Sequence, residues 1–165
     1  MTTLPPAPQF GVIGNPISHS RSPDIHARFA QQTGIALDYV RIESPLDDFE
    51  QVVTDFFSQG GRGLNVTVPF KARAHAMAAS GLSARALQAG AVNTLWHDGS
   101  RINGCNTDGV GLLHDLMRLG AWTPQTNVLL VGAGGAARGV LGPFLQATEG
   151  CIRVVNRSAP RAHEL

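Results

Sequence analysis

Lysine is almost missing from this chain: of its 13 cationic residues, 12 are arginine, and Lys71 stands alone. Arginine stays charged at any working pH, whereas burial or neighbours can tune a lysine ammonium until it exchanges protons usefully. Either the composition is arginine-biased with one lysine left by chance, or position 71 needs an amine. Cysteine is equally scarce. Cys105 and Cys151 lie in no CxxC or Cys/His spacing, which excludes a disulfide scaffold and a structural zinc site and fits a reducing compartment. A formal charge of +1 offers no basic field for nucleic acid and no polybasic face for a membrane. The expected partner is therefore a small molecule. Long apolar runs are missing too: the most apolar stretch, near 128–145, is broken by Arg138 and several glycines, and MTTLPPAPQF has neither a basic start nor an apolar core. A cytoplasmic protein is expected.

What is present is the balance of a soluble globular protein, with 43% hydrophobic and 15% charged residues. Short β-type runs at 10–14, 37–43, 63–68, 91–97, 101–106, 127–132 and 151–156 alternate with amphipathic helical stretches. That order predicts an α/β fold built from βα units on a mostly parallel sheet. Helices are expected to begin at Ser22-Pro23, near Pro45 with Asp47 and Asp48 in the first turn, after Pro69, at Asp108 and at Gly134. Gly34, Gly60, Gly81 and Gly120 each follow an apolar periodic stretch and suit left-handed caps. The segment 121–126 breaks the pattern, placing a domain boundary near 108–126.

Beyond that boundary, NVLLVGAGGAAR at 127–138 is an apolar strand running into glycines and then a helix. Gly132, Gly134 and Ala137 match GxGxx(G/A), in which the first position permits a tight turn, the second lets backbone approach a pyrophosphate, and the third allows close helix packing. The helix N-terminus that follows suits the anion of a dinucleotide, although tight strand-to-helix turns without a ligand also select glycine. An NAD site usually carries a carboxylate about 20 residues after the glycines. Asn156-Arg157 stands there instead, and Arg157 with Arg161 either suits the 2′-phosphate of NADP through charge-assisted hydrogen bonds or is a pair of ordinary surface arginines at a helix approach.

The other motifs precede this one. GNPISHSRSP at 14–23 packs hydroxyls and prolines into one turn, suited either to a small carboxylate or simply to capping a helix. Ser18-His19-Ser20 is not read as a nucleophilic pair, since adjacent residues rarely face each other and no GxSxG elbow accompanies them. NVTVPFK at 65–71 sets Asn65 and Thr67 on one strand face and delivers Lys71 to a helix start. AVNT at 91–94 offers Asn93, and NTDGVGLL at 106–113 puts Asp108 at a helix start. In parallel α/β folds the strand C-termini form the binding crevice, where these groups are able to converge. Each also has a bland reading as a helix cap.

Together, GNPISHSRSP, NVTVPFK, AGAVNT, NTDGVG and GAGGAAR followed by NRS resemble the shikimate dehydrogenase family in motif, order and spacing, across essentially the whole chain. The resemblance implies reversible, NADP-linked reduction of 3-dehydroshikimate to shikimate on the way to chorismate and the aromatic amino acids. It implies Ser20 and Ser22 as carboxylate ligands, and Asn65, Thr67, Asn93 and Asp108 as ligands of the ring hydroxyls. Lys71 and Asp108 resemble the catalytic pair, Gly132, Ala133, Gly134, Gly135 and Ala136 the pyrophosphate loop, and Asn156, Arg157 and Arg161 the NADP-selecting cluster. The architecture expected is an N-terminal, mostly parallel α/β shikimate-binding catalytic domain over 1–108, a linker helix and connection over 109–126, and an incomplete Rossmann NADP-binding domain over 127–165. Two other readings stay open: a quinate/shikimate dehydrogenase using NAD, and a truncated ligand-binding remnant without turnover. A two-stranded start of a Rossmann sheet leaves an apolar edge and face uncovered, so self-association or a homodimer is expected.

Overall fold

The computed structural model describes residues 9–165. Most of the MTTLPPAPQF segment, in which no targeting signal is expected, lies outside the described residues. The first sheet is built from β1 (Gln9–Gly14), β2 (Asp38–Glu43), β3 (Gly63–Val66), β4 (Thr94–His97) and β5 (Ile102–Cys105), in the order β2-β1-β3-β4-β5. β1 is parallel to both neighbours, Val12 lying opposite Arg41 on one side and Asn65 on the other. β4 is antiparallel to β3 and to β5. The sequence reading of βα units thus needs one correction: β4 and β5 form a hairpin. The Asp98-Gly99-Ser100-Arg101 connection is too short for a parallel crossover, and Asp98 Oδ1 closes it by accepting from the backbone N–H groups of Ser100 and Arg101 at 2.9 and 3.0 Å. Hydrogen bonds from Asn103 and then Ser100 hold the Asp98 carboxyl well below the usual carboxylate range.

Helices α1 (Ser22–Thr33), α2 (Phe49–Ser58), α3 (Lys71–Met77) and α4 (Ala84–Ala89) pack around this sheet. The core forms where Phe49, Val53 and Phe56 of α2 meet Phe70, Ala74, Ile13, Leu64 and Leu95. Phe49 and Phe70 stack with ring centroids 4.7 Å apart; burying such a ring contributes about 1.5–3 kcal/mol. Phe49 also explains a boundary. Its burial starts α2 there, so Asp47 and Asp48 precede the helix instead of filling its first turn. The six-residue α4 was not anticipated, being too short for periodicity to reveal; Ser83 caps it by accepting from the Ala86 N–H. Gly34, Gly60 and Gly120 adopt left-handed φ values of 70°, 92° and 69°, but Gly81 does not. Gly81 is small for another reason, since a side chain there would run into Asn103 and the Ile102 carbonyl.

After α5 (Asp108–Arg118), a second sheet pairs β6 (Val128–Val131) and β7 (Ile152–Val155) in parallel, with α6 (Gly135–Ala147) between them and α7 (Ala159–His163) after them. Leu113, Trp122 and Phe144 form its core, with Val128 and Ile152 packed against them. The opposite face, carrying Leu129, Val131 and Val155, is exposed, Val131 to 83%. Of the five strand pairings, three are parallel. The two sheets are joined through helices. A Cβ on Gly109 would collide with the Gly139 carbonyl oxygen, and one on Gly142 with the Gln88 side chain, so α5 and α4 both lie close against α6. Among the described residues, no helix is long and apolar enough to cross a membrane.

Candidate active site

The topology gathers the polar candidates at one end of the first sheet. The parallel strands β1 and β3 finish there, and because β4 is antiparallel its start lies there too, beside the end of β5. Asn65 lies opposite Thr94, and Thr94 opposite Cys105. Lys71 follows Phe70, whose ring is buried to 1% exposure in the core. That anchor fixes where α3 begins and hence where the amine emerges. Asp108 opens α5 because the buried Asn106 caps it: Asn106 Oδ1 accepts from the Asp108 N–H at 3.1 Å while its amide donates to the Ala91 carbonyl at 3.2 Å.

Lys71 Nζ donates to Asp108 Oδ2 at 2.6 Å, with the two side chains 25% and 30% exposed. A charge-assisted bond in so sheltered a place is stronger than an ordinary surface pair. Asn93 holds the other carboxylate oxygen, its amide donating to Asp108 Oδ1 at 2.8 Å. The Asn93 side-chain oxygen accepts from the Thr107 backbone N–H at 3.1 Å and the Thr94 hydroxyl at 2.9 Å. Asn65 Nδ2 reaches Thr94 Oγ1 at 3.4 Å and the Asn93 backbone carbonyl at 3.5 Å. Asn65, Asn93, Asp108 and Lys71 are thus brought into one polar line.

The serines lie in the loop before α1. Ser20 Oγ donates to Ser22 Oγ at 3.2 Å, and the Ser20 carbonyl accepts from Arg41 Nε at 2.8 Å. The loop is tied to the sheet by Asn15, whose amide donates to the Ser44 carbonyl at 2.8 Å. Thr67 follows β3, its backbone N–H bonded to the Ile13 carbonyl at 3.0 Å. None of Ser20, Ser22 and Thr67 bonds directly to the Lys71–Asp108 pair among the described residues.

Next to Lys71 opens a cavity of about 570 Å³, and Ala133, Gly134, Gly135 and Ala136 form its other wall. Gly132 makes the loop possible: its φ of 110° is open to glycine and strained for other residues, and its N–H donates to the Val155 carbonyl at 2.7 Å. Positions 134 and 135 have open space where a Cβ would stand, so the backbone faces the cavity unshielded at the start of the 13-residue α6. Arg161 lines this cavity and also a second one of about 460 Å³, shared with Asn156 and Arg157. The residues present therefore fit a dinucleotide: glycine backbone at a helix N-terminus, with cations further along the same side.

Three participants were missed from sequence. Thr94 and Thr107 brace Asn93, and Arg138 lines the main cavity beside the glycine loop. A fourth, Tyr39, carried a signal in being the only tyrosine. Its hydroxyl donates to Asn65 Oδ1 at 2.6 Å, and burial pushes its pKa up to about 12. His26 stacks on its ring at 4.1 Å, and burial lowers the His26 pKa.

The sequence model for the shikimate dehydrogenase substrate binding domain matches residues 12–95, about half of the chain. The chain belongs to the shikimate dehydrogenase family. It is 60% identical to the shikimate dehydrogenase (NADP(+)) of Bordetella avium and 57% identical to that of Bordetella petrii, each alignment covering 100% of this chain and 58% of the relative. Among solved structures, an Ael1 enzyme from Pseudomonas putida superposes with a TM-score of 0.89 at 46% identity, over 96% of this chain and 58% of that one. The shikimate 5-dehydrogenase of Thermus thermophilus, in complex with NADP(H) and shikimate, gives 0.86 at 33% identity, over 95% and 59%. The chain spans a little under three-fifths of the length of these relatives.

Proposed function

We propose that this chain carries the substrate site and the phosphate loop of an NADP-linked shikimate dehydrogenase, which interconverts 3-dehydroshikimate and shikimate in the cytoplasm. The observation that carries the reading is that the Lys71–Asp108 pair, closed at 2.6 Å, stands on the wall of the cavity whose other wall is the loop 133–136. The two separate sheets support a division into a substrate domain at 1–108, a connection at 109–126 and a dinucleotide-binding segment at 127–165.

The loop 133–136 would hold NADPH, which when bound would supply the hydride. As negative charge builds on the ketone oxygen, the Lys71 ammonium gives that oxygen a proton, an assistance worth a factor of about 10²–10⁴. In the oxidation direction the neutral amine takes the proton back from the hydroxyl. Asp108 holds Lys71 in place and accepts from a ring hydroxyl. Asn93 keeps the Asp108 carboxylate from turning, and Ser20 and Ser22 donate to the substrate carboxylate. Asn65 and Thr67 hold the ring hydroxyls, while Arg157 and Arg161 grip the 2′-phosphate. That last assignment favours NADP over the NAD-using quinate/shikimate reading, since no carboxylate stands where the ribose hydroxyls of NAD would be bound.

Calorimetric titration of the chain with shikimate, and then with NADP and NAD, tests the two halves separately. Saturable binding of shikimate, and of NADP in preference to NAD, is expected. A chain that binds neither ligand would refute the assignment.

A further inference from the structure

We infer that Tyr39 is a positioning residue of the substrate site, its phenol fixing which way the Asn65 amide faces. This rests on the proposed function, in which Asn65 holds a ring hydroxyl. Tyr39 belongs to β2 and Asn65 to β3, with β1 between them. Tyr39 is level with Phe10 and Asn65 with Val12, so the phenol reaches across β1 along one sheet face. Its hydroxyl ends 2.6 Å from Asn65 Oδ1.

The consequence lies in what each end of the amide is left to do. With its oxygen committed to Tyr39, Asn65 turns its NH₂ toward Asn93 and Thr94, where the partners lie at 3.5 and 3.4 Å. Those are at the outer limit of hydrogen bonding. The NH₂ is therefore aimed but weakly engaged, the state that favours a stronger acceptor such as a hydroxyl oxygen of a cyclic polyol acid. A flipped amide would set its carbonyl against the Asn93 backbone carbonyl, acceptor against acceptor, and leave the phenol proton without the partner it now has. Tyr39 is fixed in turn: His26 stacks on it at an interplanar angle of 9°. Burial pushes the phenol's pKa up to about 12, so it remains a donor throughout the working range.

The test is a double-mutant cycle in shikimate affinity, measured by calorimetry on the chain, its Tyr39→Phe and Asn65→Ala variants and the combination. Phenylalanine keeps the ring on His26 and removes only the hydroxyl. Tyr39→Phe is expected to weaken shikimate about tenfold, the scale of one lost hydrogen bond to a group that must stay oriented, with NADP affinity unchanged. Once Asn65 is alanine, removing the hydroxyl should cost nothing further. Additive losses, or a Tyr39→Phe variant that binds shikimate like the parent, would overturn the inference. A parent chain that fails to bind shikimate would overturn the proposed function and this inference with it.

Discussion

Replacing Gly109 by alanine places one methyl group between α5 and α6, where the backbone leaves no room. The added Cβ would overlap the Gly139 carbonyl oxygen and stand 2.8 Å from Pro143 Cγ and 2.9 Å from Val140 Cα. Two of those atoms are backbone and the third belongs to a ring, so no rotamer change relieves the contact. The helices must separate, at the cost of about 1–3 kcal/mol typical of overpacking. For a chain of this length that lowers the thermal midpoint by roughly 2–4 °C per kcal/mol. Gly111 supplies the control. It lies two residues further along α5 with nothing within 4 Å of its Cβ position, so alanine there should gain about 0.8–1 kcal/mol of helix propensity and raise the midpoint. The two substitutions are chemically identical and should act with opposite sign. Gly109 also adjoins Asp108, and Gly139 lies on the helix that begins at the glycine loop. Gly109→Ala should therefore weaken NADP binding, whereas Gly111→Ala should not. Melting curves followed by circular dichroism and NADP titration of both variants make the measurement. Gly109→Ala with an unchanged midpoint and unchanged NADP affinity would refute the close helix crossing and its role in setting the cavity.

Lys71→Ala should reduce turnover by a factor of about 10²–10⁴ with a much smaller effect on shikimate affinity, and Lys71→Arg should not restore it; full activity in the arginine variant would remove the proton-transfer role. Arg157→Ala and Arg161→Ala should each weaken NADP about tenfold or more and leave NAD nearly unaffected, the scale of a lost charged hydrogen bond; equal losses for both cofactors would contradict a 2′-phosphate contact. Burial lowers the His26 pKa below its ordinary 6.5, so the unfolded chain binds more protons there and His26 subtracts stability as pH falls below 6.5. Denaturant melts at pH 5 and pH 7.5 should show a smaller pH effect in His26→Gln than in the parent, and an identical effect in both would count against the assignment. The exposed Leu129, Val131 and Val155 face should make the chain self-associate; Val131→Lys should reduce that association in sedimentation velocity, and a parent chain that stays monomeric at all concentrations would contradict it.

Much of this site was legible because its residues are announced by local chemistry. A glycine-rich turn between an apolar strand and a helix has few uses, and Gly132 indeed takes the positive φ that such a turn requires. A lone lysine after Pro69 and an aspartate at a helix start are visible one by one. Their closure to 2.6 Å is not, because it depends on β4 running antiparallel between β3 and β5. The hairpin is legible too, since the residues between the strand patterns at 91–97 and 101–106 are too few for a parallel crossover; its closure by the Asp98 side chain is seen only in the fold. Gly81 was misjudged on the same ground, since its smallness serves a neighbour distant in sequence and not its own φ.

The sequence by itself determined the α/β alternation, the glycine loop, the missing carboxylate that points to NADP, and the residue types able to bind an acid and move a proton. These follow from periodicity and from side-chain chemistry, which are local properties. Tertiary structure alone decided that Lys71, 37 positions from Asp108, is held against it, that Tyr39 reaches Asn65 across an intervening strand, and that Gly109 and Gly139 let two helices meet. Strand order and helix approach come from how the whole chain buries its apolar faces, and no local pattern encodes them.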